Sequence, residues 1–580
     1  MPDSLNHIFS EPANLATAWS AFFTNELYRC GLRHAVISPG SRSTPLTLAM
    51  AAHPHIQTHV VLDERSAGFM ALGIGKASGR PAALICTSGT AVANYYPAVV
   101  EARMSGVPLL VLSADRPPAL RQVGANQAIR QQGIFGSYTV FEHDAGEPVA
   151  RTEDFRRLEI LAGQAWNSSI HHGGPAQVNF PFRKPLEPTA AFRDYLPGHY
   201  TESLEARTEP LTRSAPVQWR PPAAVFQTIA RSRRPVIIAG TLPAHCLLPE
   251  ILDMLSDEGI PLLCEAGASS GRQTGEAYIT GFNAFLRSAS VRDRLQPDLI
   301  IQIGPGPSGK GLEHYLREYR DIPRLHFQSN VLWAEPSLGS SITVQVPANA
   351  ELVRVPLTKY IPEGWLRDWQ ETSREYLAQR DTGLQAASVL RDGDVHAVVA
   401  ASLTAPETVM ISNSFPARDA DLFAMPAFGR HTVFMNRGAS GIDGITSTAA
   451  GLSLAGSQPV TLLTGDLAFL HDLTALLAAP ALQQVSLRIL VINNQGGQIF
   501  RMLPVYEPSD WYTRLFETPQ HVDFAALGKG FGVQTSEVTT ASQLQVALEQ
   551  PRKNGIEIII CHTHPDESMH QRRDLWNAWN

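Results

Sequence analysis

The sequence predicts an α/β protein of three successive domains, each built on a mainly parallel sheet flanked by helices. Three observations carry that expectation. Short runs rich in Val, Ile and Leu alternate with helix-like segments along almost the whole chain. These runs are apolar without interruption, as strands covered on both faces require. At 580 residues the chain also exceeds what one hydrophobic core supports.

The elements follow in order. "HAVIS" (34–38), "AALIC" (82–86) and "PLLVL" (108–112) each lead into a Gly- or Ser-bearing turn and a helical pattern, which defines a first domain over 1–188. Residues 184–222 are dotted with proline and lack a sustained period, so they read as a linker. The rhythm returns at "PVIIAG" (235–240), "PLLCEAG" (261–267) and "LIIQIG" (299–304), giving a central domain over 189–355 with the linker at its start. Around 345–370 the composition shifts to an acidic and aromatic segment. A third domain, 356–580, then carries "TVMIS" (408–412), "VTLLTGD" (460–466), "ILVINN" (489–494) and "IEIIIC" (556–561).

Composition excludes several classes. Charged residues make up 17% of the chain, against about 25% in average soluble proteins. That favours large cores and buried interfaces. The net charge of −7 gives no electrostatic case for a nucleic-acid partner. Five cysteines (Cys30, Cys86, Cys246, Cys264, Cys561) are scattered and never form CxxC, so they read as reduced thiols. The start "MPDSLNHIFSEPANLATAW" has neither the basic nor the apolar region of a signal peptide. No apolar run approaches the roughly 18–20 residues of a membrane span. A cytoplasmic protein with no membrane partner is expected.

Two strand ends pose a chemical question. "VTLLTGD" ends in Asp466, and "ILVINN" ends in Asn493-Asn494 followed by Gly496-Gly497. Carboxyl ends of parallel strands are where ligands bind. A hard divalent cation takes oxygen ligands and often shares them with phosphate. Asp466 offers a carboxylate, Asn494 an amide oxygen and Gly496 a backbone carbonyl, with Mg²⁺ or Mn²⁺ the fitting ion. A helix cap or an Asn-Gly turn explains either half alone, but not the two at this spacing.

Gly465-Asp466, 26 further residues and then Asn493-Asn494 resemble the metal–diphosphate signature of thiamine-diphosphate (ThDP) enzymes. The departure is Leu467, where a strict match has glycine. Such enzymes also use a glutamate that engages the cofactor's aminopyrimidine ring. "THVVLDERSAGF" offers Glu64 after an apolar strand, although a charged helix start explains it equally well when taken alone. "SPGSRSTPLTLA" (38–49), "TSGTAVANYYPAVVEA" (87–102), "SADRPPAL" (113–120), "GANQAIRQ" (124–131) and "NRGASGIDGITSTAAG" (436–451) occur in that order. Together they resemble the 2-succinyl-5-enolpyruvyl-6-hydroxy-3-cyclohexene-1-carboxylate (SEPHCHC) synthases of menaquinone and phylloquinone biosynthesis. The resemblance is dense over 31–138 and 408–503 and sparse between.

The resemblance implies a transferase that decarboxylates 2-oxoglutarate and adds the resulting carbanion in a 1,4 sense to isochorismate. Both substrates carry two carboxylates, which arginine forks bind in bidentate fashion. Arg42, Arg116, Arg418 and Arg437 fall in turns after apparent strands and suit that task, with Lys310 from the central domain. Ser41, Asn126, Gln127 and Ser414 would orient substrate. Ile442 resembles the bulky apolar residue that holds ThDP bent. Ser440, Gly465, Leu467, Gly497, Ile499 and Phe500 complete the implied cofactor contacts, beside Glu64, Asp466, Asn494 and Gly496. Family sites form between subunits, so a homodimer or dimer of dimers is expected. Two alternatives stay open: another ThDP-dependent 2-oxo acid decarboxylase or carboligase, and a catalytically inactive scaffold.

Three motifs read as decoys. "GPGPSGKG" (304–311) resembles a phosphate-binding loop, but Gly311 replaces the Ser or Thr that would hold Mg²⁺. It also stands where the family has an arginine. "GIGKASG" (73–79) lies in a helical pattern and reads as close packing. His562 and His564 lack a third zinc ligand.

Overall fold

A computed structural model of the chain describes residues 8, 14–188, 207–268, 275–329, 336–339, 341–355, 362–385, 389–403 and 406–579. Three main parallel sheets account for the apolar runs. The first holds β1 (His34–Ile37), β2 (Gln57–Val60), β3 (Ala83–Cys86), β4 (Leu109–Asp115), β5 (Phe141–Asp144) and β6 (Pro175–Pro181), in the order β2-β1-β3-β4-β6-β5. Next in the chain comes β7 (Val217–Trp219), inside the stretch expected to be linker. The central sheet takes β8 (Pro235–Ala239), β9 (Leu262–Cys264), β10 (Leu299–Ile303), β11 (Arg324–Gln328) and β12 (Ile342–Gln345), in the order β12-β11-β10-β8-β9. Strand β13 (Ala350–Leu352) then pairs in parallel with β7. The rest of that expected linker is described only over 184–188 and 207–222; the stretch between lies outside the described residues.

The third sheet contains β14 (Thr408–Ile411), β15 (Thr432–Met435), β16 (Val460–Gly465), β17 (Ser486–Asn493), β18 (Gln534–Val538) and β19 (Gly555–His562), in the order β15-β14-β16-β17-β19-β18. Counted within its own sheet, that is the order of the first sheet. In both, the strand order reverses at the first strand, and a crevice opens there at the carboxyl ends. Ser41 and Arg42 follow β1 at one such point; Ser414 follows β14 and Asp466 follows β16 at the other.

Edge strands explain what the apolar runs missed. Strands β5 and β18 are edge strands open to solvent along part of their length, so their sequences are polar, and β2, read as the apolar strand before Glu64, is an edge strand too. Strand β6 is fully buried yet carries two amides, of which Asn179 is satisfied on both its nitrogen and its oxygen, while Gln177 Oε1 has no partner among the described residues. Asn179 donates to Asp115 at 2.9 Å and accepts from Ser113 Oγ at 2.9 Å and from Gln131 Nε2 at 3.0 Å.

Close contacts group the chain into two compact units. One comprises Met1–Pro216 with Thr446–Ser457 and Thr474–Leu482; the other comprises Val217–Ile445, Gln458–Leu473 and Gln483–Asn580. In the first unit, the Glu64–Ser78 helix packs on the Ile445–Ala455 helix through paired glycines. A Cβ on Gly73 would sit 2.1 Å from the Thr448 carbonyl oxygen, and one on Gly451 would sit 2.0 Å from that of Met70. Gly75 is likewise closed in by the Pro108 carbonyl at 2.7 Å. Gly73 and Gly75 of "GIGKASG" therefore serve close packing, while Gly79 ends the helix at a φ of 67°.

Gly451→Val is expected to destabilise the protein by about 1–3 kcal/mol, because backbone rather than a movable side chain blocks the new atoms. Gly364→Ala, where a Cβ meets nothing within 4 Å, should change stability by less than about 0.5 kcal/mol. Urea unfolding of both variants measures the contrast; equal midpoints would refute the packing assignment.

Candidate active site

In the first unit the site residues gather at the ends of β1, β2, β3 and β4. Arg42 is only 6% exposed, with Nη1 donating to the Phe182 carbonyl at 2.7 Å and its backbone N–H donating to Thr87 Oγ1 at 3.2 Å. Its Nε has no partner. Burial and the neighbouring Arg116 hold the Arg42 guanidinium below its usual range. Arg116 donates through Nη1 to Ser88 Oγ at 2.8 Å and through Nε to the Asn126 carbonyl at 3.2 Å. Gln127 has a positive φ of 56° and gives its amide N–H to the Ser88 carbonyl at 2.9 Å. Its side-chain oxygen is left as the acceptor. Ser41 is exposed beside them, and its carbonyl caps the following helix by accepting from Thr44 Oγ1 at 2.7 Å.

Glu64 opens the Glu64–Ser78 helix, half-buried, and the cap comes from Asp63, whose Oδ1 accepts from the N–H groups of Arg65 and Ser66. Capping by Asp63 frees the Glu64 carboxyl group. It lies within electrostatic reach of buried Tyr95 and Cys86.

In the second unit the polar groups line the carboxyl ends of β14, β15, β16 and β17. Asp466 is 4% exposed; its Oδ2 accepts from the Gly496 N–H at 2.7 Å and its Oδ1 from the Leu467 N–H at 2.8 Å. Burial pushes its pKa up to about 6, with negatively charged Asp392 adding to the rise while the backbone N–H groups oppose it. Asn494 donates its amide nitrogen to Asp392 Oδ2 at 2.9 Å, leaving the amide oxygen as its acceptor face. Among the described residues no three His, Cys, Asp or Glu side chains cluster as a metal site. A cation here would therefore take Asp466 as its one carboxylate, with Asn494 Oδ1 and the Gly496 carbonyl beside it. A buried carboxylate without a compensating cation fits that donor set.

The glycines of the loop are required by the chain's own packing. Gly496 has φ of 110°, and a Cβ there would lie 2.2 Å from the Glu517 carbonyl oxygen. Gly497 donates its N–H to that same oxygen at 2.6 Å. Close approach within the chain thus already demands both. Leu467 sits in the first turn of the Asp466–His471 helix, where leucine is unstrained. A Cβ on Gly465 would meet nothing within 4 Å. Ile499 is half-buried, and the neighbouring Phe500 is exposed.

Arg418 and Arg437 form a second arginine pair. Burial and Arg437 lower the Arg418 pKa, while Glu265 acts to raise it. Arg418 lies within the short Phe415–Asp419 helix rather than in a turn, and its Nη1 donates to the Ser414 carbonyl at 2.8 Å. Asn413 Oδ1 accepts from Arg437 Nη1 at 2.9 Å, and its amide nitrogen donates to the carbonyls of Asn436 and Gly441. Ser414 and Ser440 hold positive φ of 73° and 58°, a strain typical of functional sites. Ile442 stands 39% exposed near the Arg437 loop, where it is open to contact with a ligand.

The central sheet contributes through Glu265, which sequence reasoning missed. Buried after β9, it accepts from the Ser308 N–H and from Ser308 Oγ, the latter at 3.0 Å. Burial raises its pKa, and Arg437 and Arg418 oppose the rise. Ser308 belongs to the Lys310 loop, so that loop is tethered toward the second arginine pair. Lys310 itself is exposed at the start of the Lys310–Glu318 helix. An arginine at 311 would not fit: a Cβ there would lie 2.5 Å from the Asn283 carbonyl oxygen. His562 pairs with Glu537 at 2.7 Å and His564 caps a helix, which accounts for both without zinc.

Residues 19–134 match the thiamine pyrophosphate enzyme, N-terminal TPP binding domain, and residues 423–561 match the corresponding C-terminal TPP binding domain. A Synechococcus elongatus protein named SEPHCHC synthase is 37% identical over 98% of this chain and 96% of its own length. Proteins of the same name from Bacillus velezensis and Geobacillus kaustophilus are each 34% identical over 97% of this chain and 98% of theirs. The chain belongs to the SEPHCHC synthase family. Membership over nearly the full length covers all three sheets, including the central one where the resemblance of motifs was sparse.

Asp466→Ala is expected to abolish Mg²⁺-dependent ThDP binding while leaving the fold intact, since it removes the one carboxylate of the cation cradle. Titration calorimetry with and without Mg²⁺ checks this; unchanged ThDP affinity would refute the metal assignment.

Proposed function

We propose that the chain works as a ThDP-dependent SEPHCHC synthase, a transferase acting in the cytoplasm as a homodimer or dimer of dimers. It decarboxylates 2-oxoglutarate and joins the four-carbon remainder to isochorismate by 1,4-addition, releasing CO2 in menaquinone or phylloquinone biosynthesis. The observation that carries this reading is a one-carboxylate cation cradle at the strand ends of one unit, with an arginine pair at the strand ends of each unit. Arginine forks bind carboxylates in bidentate fashion, and both substrates are dianions.

When bound, ThDP supplies the nucleophilic carbon and the electron sink for decarboxylation. The chain's residues do the rest. Asp466, Asn494 and the Gly496 carbonyl would hold Mg²⁺ or Mn²⁺ against the diphosphate. Ser440, Ile442, Gly465, Leu467, Gly497, Ile499 and Phe500 would shape the space around the cofactor. Glu64 would hydrogen-bond the aminopyrimidine ring and exchange a proton there. Arg42 and Arg116 would clamp carboxylates from the first unit, and Arg418, Arg437 and Lys310 from the second. Ser41, Asn126, Gln127 and Ser414 would fix substrate orientation. The three domains of this reading are 1–188, 189–355 and 356–580, each supported by one main sheet.

The deciding experiment supplies the protein with ThDP, Mg²⁺, 2-oxoglutarate and isochorismate. A product with the mass of SEPHCHC, formed one-to-one with CO2, supports the reading. Decarboxylation without the adduct would point to another 2-oxo acid decarboxylase, and no turnover to an inactive scaffold.

Two further outcomes are expected. Arg42→Ala or Arg418→Ala should cost at least about tenfold in kcat/KM, the worth of one charged hydrogen bond, with ThDP affinity retained. Near-native kinetics in both would mean the substrate pocket lies elsewhere. Glu64→Gln keeps shape and hydrogen bonding but cannot relay a proton, so it should bind ThDP and lose about 100-fold or more in C2–H/D exchange. NMR of the cofactor proton measures this, and a native exchange rate would remove Glu64 from its role.

A further inference from the structure

A buried ion triad lies behind the cation cradle, and the proposed function leaves it without a task. Arg572 is 1% exposed, and its Nε donates to Asp419 Oδ1 at 2.8 Å and its Nη2 to Asp392 Oδ2 at 2.7 Å. Nη2 also pairs with Asp419 Oδ2. The guanidinium carbon sits 3.6 Å above the Phe415 ring centroid. Asp392 and Asp419 are themselves 1% and 0% exposed. Three charges with a net of −1 are thus sealed from water, an arrangement that packed apolar side chains often match or exceed in stability. Stability alone therefore does not explain it.

Its connections suggest what does. The Asp392 oxygen that meets Arg572 also accepts from Asn494 Nδ2 at 2.9 Å, while the other accepts from Thr563 Oγ1 at 2.6 Å. Asp392 therefore fixes which way the Asn494 amide points. With nitrogen committed to Asp392, oxygen is the atom left to face the cation. At the far end of the triad, Asp419 closes the Phe415–Asp419 helix directly after Arg418. The same helix begins beside Ser414, whose carbonyl holds Arg418.

We propose that Asp392 is a positioning residue that orients Asn494 toward the cation and, through Arg572 and Asp419, ties the cation-binding end of β17 to the helix carrying Arg418. This rests on the assignment of Asp466, Asn494 and Gly496 as the cation site. Groups that orient a metal's direct ligands commonly contribute 10–100-fold in metal affinity. Asp392 adds a second effect, because its negative charge is felt at Asp466 and favours a cation there.

The test is Mg²⁺ titration calorimetry on the intact protein with saturating ThDP. Asp392→Asn should weaken Mg²⁺ affinity by about tenfold or more, with the far-UV circular dichroism of the native chain. Thr563→Val, which removes only the hydroxyl that holds Asp392, should weaken it severalfold and serves if Asp392→Asn does not fold. Asp394→Asn supplies the structural control. It loosens the same Asp392–Ser402 helix by breaking the buried Arg391–Asp394 pair at 2.8 Å. It should lower Tm while leaving Mg²⁺ affinity within twofold. Native Mg²⁺ affinity in Asp392→Asn or Thr563→Val, or an equal loss in Asp394→Asn, would overturn the proposal. If Asp466→Ala still abolishes Mg²⁺-dependent binding in those cases, the cation site stands and only the positioning role falls.

Discussion

The rest of the structure depends on one unfavourable act, the burial of the Asp466 carboxylate. A carboxylate taken out of water needs partners, and this one has two backbone N–H groups, from Leu467 and Gly496. Both bonds require particular backbone paths. The first needs a helix to begin at the end of β16; the second needs the loop after β17 to fold back, with Gly496 at φ of 110° against the Glu517 carbonyl. Two hydrogen bonds do not offset burial completely, since the pKa still stands at about 6. The remainder is what a divalent cation would supply.

The same logic applies to the arginine pairs. Arg42 beside Arg116, and Arg418 beside Arg437, place like charges together in partly buried settings. Folding would be easier without them. Their immediate partners are mostly neutral oxygens, such as the Phe182 and Ser414 carbonyls and Ser88 Oγ, which orient the guanidinium groups without neutralising them. Carboxylates also act on both pairs, Asp115 and Glu187 on Arg42, and Glu265, Asp419 and Asp421 on Arg418, with Glu265 tying the second pair to the Lys310 loop. Positive φ at Gln127, Ser414, Ser440 and Gln495 adds backbone strain at the same strand ends. A fold selected only for stability would not collect these costs at the strand ends of each unit.

Much of this was legible in the sequence where local chemistry determines structure. Continuous apolar runs gave most of the interior strands, because a strand covered on both faces has little room for anything else; interior β11, "RLHFQ", is buried yet polar and was missed. "FEHD" and "QTSEV" escaped notice because edge strands carry polar residues, and "PAQVNFP" because its buried Asn179 is satisfied by partners far along the chain. At the site, Asp466, Asn494 and Gly496 could be read because each stands at a strand end that packing does not explain. Asp392, Arg572 and Glu265 could not. Asp392 lies 180 residues from Arg572 and 102 from Asn494, and each alone resembles an ordinary helix charge. The glycine at 311 was read as a missing arginine, whereas the Asn283 backbone leaves no room for a side chain.

The central claim is that a single divalent cation sits at the ends of β16 and β17, held by one carboxylate, one amide and one carbonyl. Anomalous diffraction from crystals grown with ThDP and Mn²⁺ tests it most directly. One Mn²⁺ peak at bonding distance from Asp466, Asn494 Oδ1 and the Gly496 carbonyl is the predicted result. A peak elsewhere, or one in which Asn494 presents its nitrogen and Asp392 has turned away, would contradict it.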